Sequence, residues 1–191
     1  MKKLVLFALF VSCLVSCGDK KTAENRETAA IHLNHEKPAT ITGQQVPDLL
    51  GIKKRSDLEA APYSSWFSPN YASYEIDKDI AKQLKPLLKN VSIKVFMGTW
   101  CGDSKEQTPH FYKILDAVDY GEKNLTLITV SRAKTTPEKH EAGLDIIKVP
   151  TFIFYKNGRE INRIVEYPIE SLEKDMLAIL SGKAYKHAYA D

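Results

Sequence analysis

The chain lacks a strong charge of either sign. Lys and Arg total 27 against 24 Asp and Glu, a net charge of +3, and Lys2 and Lys3 supply two of those positive charges. Without that basic start the chain is close to neutral, so a nucleic-acid-binding role has no electrostatic basis. It lacks a long apolar run as well. Residues 4–11 are the apolar stretch at the N-terminus, and they fall short of the roughly 20 residues that a membrane span needs. It lacks a metal-ligand set: His32 and His35 stand at a possible metal spacing but without a cysteine or acidic partner at a fixed distance, and His110, His140 and His187 are scattered. There is no internal repeat and no low-complexity block. Cysteine is scarce, with only Cys13, Cys17 and Cys101. What is left, at 191 residues, is one ordinary domain with extensions and enough chain to bury a core.

The N-terminus reads as an address. Lys2 and Lys3 precede an apolar stretch, and Leu14-Val15-Ser16-Cys17 closes it. This resembles the signal peptide and lipobox of bacterial lipoproteins, in which cleavage precedes a cysteine that carries lipid. The resemblance implies a signal peptide over residues 1–17 and lipidation at Cys17. It also implies a membrane anchor in the bacterial cell envelope, with the domain facing the periplasm or the exterior. Several acyl chains would hold it stably, because each buried CH₂ contributes about 0.8 kcal/mol. Cys13 would leave with the signal and Cys17 would become a thioether. Cys101 would then be the one free thiol, and no intramolecular disulfide could form. Residues 18–45 are polar and read as a flexible tether with a reach of roughly 25–30 Å.

The rest of the chain is organised around residues 91–109, VSIKVFMGTWCGDSKEQTP. A buried-strand pattern over residues 91–97 runs into Gly98, then Trp100-Cys101, then a helix pattern over residues 103–118 with Pro109 inside it. A helix N-terminus leaves backbone N–H groups unpaired and carries partial positive charge, which favours a thiolate there. Upstream, residues 46–75 form an N-terminal extension. Ser56 and Glu59 make a capping-box pattern for a short helix. Tyr63, Trp66, Phe67, Tyr71 and Tyr74 follow, either as an aromatic wall gripping a substrate peptide or, favoured, as a flap packed over the sheet edge. Asp77 is placed to cap a helix whose apolar residues recur at Ile76, Ile80, Leu84 and Leu87, and Pro86 kinks or ends it. A second buried strand covers residues 125–130. The polar loop 131–147 carries Arg132, Lys134 and Lys139, cations that are either solvated or attract an acidic substrate. Residues 152–155 and 160–165 read as a hairpin across Lys156-Asn157-Gly158. A helix over residues 169–180 ends at Gly182.

Trp100-Cys101-Gly102-Asp103-Ser104-Lys105 resembles the active-site turn of the thioredoxin family, Trp-Cys-x-x-Cys-Lys. Pro109 lies eight residues after Cys101, where the family has its helix-kink proline. Val149-Pro150-Thr151, ahead of a strand and Lys156-Asn157-Gly158, matches the family's cis-proline turn and hairpin. The resemblance implies an α/β, thioredoxin-like fold over residues 76–182, a central mixed β-sheet flanked by helices, with residues 183–191 as a tail. It implies a cis Pro150 facing Cys101, and a substrate groove formed by Trp100, Val149, Pro150 and Thr151 in which the Val149 backbone pairs with a substrate strand. Two departures bear on mechanism. Ser104 stands where the family has its second cysteine, and Val95 stands where typical thioredoxins have a buried acid.

Cys101 is therefore the candidate nucleophile, attacking a disulfide sulfur to form a mixed disulfide. Lys105 adds positive charge nearby, and Asp103 works against a thiolate. The Ser104 hydroxyl can donate a hydrogen bond to the Cys101 thiolate but cannot attack a mixed disulfide, so an external thiol must resolve it. The expected role is a thiol-disulfide oxidoreductase or isomerase with no cofactor and no metal. Its partners would be an envelope protein carrying a disulfide or oxidised thiol and an external thiol reductant. The alternative is a binding module that holds a client in the groove without turnover.

Overall fold

A computed structural model describes residues 46–190. The expected signal peptide over residues 1–17, the expected lipidation at Cys17 and the expected tether over residues 18–45, with His32 and His35, lie outside the described residues.

Five strands form one mixed sheet in the order β1-β3-β2-β4-β5. They are β1 (Gly51–Lys53), β2 (Val91–Met97), β3 (Leu125–Thr129), β4 (Thr151–Lys156) and β5 (Arg159–Val165). The helices are α1 (Arg55–Glu59), α2 (Ser64–Ser73), α3 (Lys78–Leu87), α4 (Gly102–Ala117) and α5 (Leu172–Leu180). β2 pairs parallel with β3 and antiparallel with β4, and β4 pairs antiparallel with β5. β1 adds an antiparallel edge to β3. Three residues, Gly-Ile-Lys, are too few to show a period of two, so the sequence gives no strand signal there.

Side-chain alternation along the strands divides the core in two. Val91, Ile93, Val95 and Met97 of β2, with Leu127, Phe152 and Phe154, face the larger cluster, to which all five helices contribute buried residues. Phe96, Ile128 and Ile153 face the other way, onto Val130, Ile146 and Val149. That face lies under the turns of residues 131–150 rather than under a helix. Val95 is fully buried in the larger cluster.

The extension is built into this core. Leu58, Tyr63 and Phe67 are buried, and Trp66, Tyr71 and Tyr74 pack against the cluster partly exposed. Arg55 pairs with Glu59 at 2.7 Å and with Asp116 of α4 at 2.8 Å, and its guanidinium lies over the rings of Tyr71 and Tyr112. The cap of α1 lies two residues before the expected Ser56: Lys54 is its N-cap, and the Asp57 carboxylate accepts from the Lys54 N–H at 2.8 Å. Asp77 caps α3 as its spacing predicts, accepting from the N–H groups of Asp79 and Ile80. Pro86 sits in the last turn of α3.

At the other end, α5 begins at Leu172 rather than at residue 169. The buried Asp175 carboxylate accepts from the N–H groups of Ile169 and Glu170 and from the Tyr185 hydroxyl, which holds residues 169–170 outside the helix. Ser171 is the actual cap, accepting from the Lys174 N–H. The helix closes at Gly182, φ +73°, with the Lys183 N–H reaching back to the Ala178 carbonyl and the Gly182 N–H to that of Ile179. No helix among the described residues is long and apolar enough to cross a membrane.

Candidate functional site

β2 delivers the chain to Gly98 at the centre of the sheet, and α4 takes it away from Gly102. Cys101 lies between them as the N-cap residue of α4, in extended conformation. The turn is closed by the Cys101 N–H donating to the Gly98 carbonyl at 3.0 Å, and the helix starts with the Lys105 N–H donating to the Cys101 carbonyl at 3.1 Å. A side chain at position 98 would force its surroundings to shift. A Cβ there would lie 2.5 Å from Cε2 of the Trp100 ring. The ring is fixed on its other side, because Trp100 Nε1 donates to the Val130 carbonyl at 2.9 Å. The Arg132 guanidinium lies over it, 5.2 Å from its centre.

Cys101 is a partly exposed free thiol. The Val149–Pro150 bond is cis, as the resemblance implied, and its turn faces the sulfur. Cys101 Sγ lies 3.2 Å from the Val149 carbonyl oxygen and 3.9 Å from an Asp103 carboxylate oxygen. Val149 is almost wholly buried. Its backbone is therefore less open than the expected groove requires, and its carbonyl is already engaged by the thiol. A cis bond at Ala61–Pro62 has no counterpart in the sequence reading.

Two of the expected site residues point elsewhere. Ser104 is fully buried, and its Oγ accepts from the Gly98 N–H at 3.2 Å. It supports the turn beneath Cys101 and makes no hydrogen bond to the sulfur. Thr151 is buried at the start of β4, where its hydroxyl donates to the Lys148 carbonyl at 2.7 Å. It closes the cis-proline turn from inside instead of lining a groove. Cys101, Trp100, Val149 and Pro150 are brought together, with Cys101 and Trp100 packed on the cluster that contains Val149.

A cleft of about 540 Å³ adjoins this turn. Thr99, Trp100 and Lys105 form one side of it, and Asp48, Trp66 and Arg132 contribute others. The extension builds its far wall, tied to the site by the Leu49 N–H donating to Thr99 Oγ1 at 3.1 Å and by Asn70 Nδ2 donating to the Lys105 carbonyl at 3.0 Å. Trp66 thus has a wall position, whereas Phe67 and Tyr71 stack on each other in packing roles. The favoured reading of a packed flap holds for Phe67 and Tyr71, while Trp66 takes the wall position of the alternative reading; the contribution of residues 46–48 escaped the sequence, since nothing in their local pattern signals an approach to Trp100.

Residues 73–178 match the thioredoxin family profile. The chain is 28% identical over 102 residues to a thioredoxin of Gallus gallus, covering 53% of this chain and 91% of the relative. It is 30% identical over 84 residues to a thioredoxin of Staphylococcus aureus, covering 43% and 75%. Among solved structures, a Pseudomonas aeruginosa protein of unknown function shares the fold with a TM-score of 0.50 at 16% identity, covering 65% of this chain and 87% of that one.

Proposed function

We propose, from the premise that this chain belongs to the thioredoxin family, that it is a thiol-disulfide oxidoreductase or isomerase working through Cys101 alone. The observation that carries this reading is the approach of Cys101 Sγ to within 3.2 Å of the Val149 carbonyl beside the cis Pro150. A nucleophile and a backbone acceptor for a substrate strand share one spot.

The resting thiol donates to the Val149 carbonyl, so an ionised sulfur must release that carbonyl. The Val149 N–H has no hydrogen-bond partner among the described residues. Ionisation therefore leaves both backbone groups without a partner among the described residues, and an extended peptide pairs with them by strand addition once the turn over the buried Val149 opens. The thiolate attacks one sulfur of the client disulfide. A Cys101–client disulfide forms and the second client sulfur departs as thiolate. Ser104 has no sulfur to displace the client, and its Oγ, buried beneath the turn, accepts from the Gly98 N–H. Resolution then falls to the client's own thiol, which is isomerisation, or to an external thiol, which is reduction. Lipid anchoring through Cys17 and a client within the envelope complete the proposal.

The second reading is a groove that holds a client without turnover, favoured by the serine at residue 104 and the valine at residue 95. Intact-mass analysis of the full chain incubated with a model disulfide separates the two. A persistent adduct at Cys101, absent from Cys101→Ser and discharged by added thiol, is expected. Stable client binding that survives Cys101→Ser, with no adduct at any time, would leave only the binding reading.

A further inference from the structure

We infer that the cleft beside Trp100 is the binding site for the external thiol, and that this co-substrate is a low-molecular-weight thiol bearing carboxylates. The inference rests on the single-cysteine reading above. The cleft's volume of about 540 Å³ falls within the roughly 300–1,000 Å³ of small-molecule sites.

Charge selects the ligand class. Lys105 and Arg132 both line the cleft, and neither side chain has a carboxylate partner among the described residues. Arg55 and Arg163, by contrast, are occupied by Asp116, Glu59 and Glu160. The Arg132 guanidinium is pre-positioned over the Trp100 ring, which lowers the ordering cost of using it. Asp48, also in the lining, is likewise without an ion-pair partner among the described residues, and can take an ammonium group. The lining thus fits a molecule with more than one carboxylate and one amine, its apolar part held between Trp66 and Trp100. Position selects the chemistry. Cys101 and Val149 are not part of the lining, but Thr99, Trp100 and Lys105 belong to the same turn and first helical turn as Cys101, so a thiol anchored here reaches the mixed disulfide by extending its sulfur-bearing part past Trp100.

The reaction balances with two such thiols. The first, as thiolate, attacks Cys101 Sγ and expels the client's remaining sulfur as thiolate, leaving the small thiol in disulfide linkage to Cys101. The second attacks the small-thiol sulfur, releasing the symmetrical small disulfide and the Cys101 thiolate. One client disulfide is reduced and two small thiols are oxidised.

Glutathione has the required groups, and S-methylglutathione is its unreactive probe. The chain's two tryptophans, Trp66 and Trp100, both line the cleft and report binding by emission. Titrating the detergent-solubilised full chain with S-methylglutathione is expected to give saturable binding, equal in wild type and Cys101→Ser. Binding is expected to weaken at least about tenfold in the Lys105→Ala/Arg132→Ala double variant and to be retained in Lys105→Arg/Arg132→Lys. Adduct discharge should follow: the rate ratio of glutathione to cysteamine, a thiol without carboxylates, falls about tenfold in the double alanine variant. No saturable binding at millimolar probe, binding unchanged in the double variant, or equal binding of inorganic phosphate would overturn the inference. Failure of the single-cysteine reading shows separately, as no Cys101 adduct.

Discussion

Ser104 Oγ accepts a hydrogen bond from the Gly98 N–H at 3.2 Å, and both residues are buried. The bond joins the end of β2 to the first turn of α4 and so fixes the loop that carries Cys101. Ser104→Ala leaves the Gly98 N–H buried without a partner, which costs about 1–3 kcal/mol. Urea denaturation is expected to show that loss as a lower midpoint with an unchanged slope. A midpoint equal to wild type would mean that the turn does not need the serine.

Ser104→Cys asks a different question of the same position. Sulfur is a weak acceptor, so part of the stability loss of the alanine variant should remain. In exchange, residue 104 acquires the nucleophile that the wild type lacks. Insulin disulfide reduction is expected to rise at least about tenfold, because an intramolecular attack replaces a bimolecular one. No gain would favour the binding-module reading.

Much of this site was legible in the sequence because it depends on local pattern. The alternating apolar residues of β2, the Asn157-Gly158 turn and the Asp77 cap are short-range signals, and each lies where the sequence places it. The family resemblance added what no pattern shows, the cis Pro150 across from Cys101. What escaped was long-range. The Ser104 hydroxyl can face the sulfur or the turn below, and only the backbone path of residues 98–104 decides. The Asp175 carboxylate sets the start of α5 by bonding to residues upstream of it, and a helical periodicity cannot register that. β1 and the cleft wall at residues 46–48 exist only because the extension returns to β3 and Thr99.

Gly98→Ala tests the packing that orients Trp100. The added Cβ would stand 2.5 Å from the ring, and the indole is held by its bond to Val130 and by the sheet behind it. Neither backbone nor ring can yield without breaking a contact, so a cost of about 1–3 kcal/mol is expected from overpacking. Tryptophan emission should shift to longer wavelength as the ring loosens, and adduct formation at Cys101 should slow. Unchanged emission with unchanged stability would show that the turn relaxes freely and that the glycine is not required.

His110 makes folding sensitive to mild acid. Its ring stacks on Tyr74 at 4.4 Å, and burial pushes its pKa below the ordinary value. Glu106 and Glu173 pull upward against that shift, while Lys113 adds to it. Above a pH of about 6.5 the imidazole is neutral in both the folded and the unfolded chain. As pH falls below that point, the unfolded chain takes up a proton that the folded chain resists, so stability declines until the lower folded pKa is passed. His187 is also lowered, by burial and then by Arg163, so the wild type carries both contributions and a single substitution removes one. Denaturation midpoints measured from about pH 7 to about pH 5 should fall more steeply for wild type than for His110→Gln. Parallel slopes would mean that His110 binds its proton equally well folded and unfolded, and the packing against Tyr74 would then exert no control over its charge.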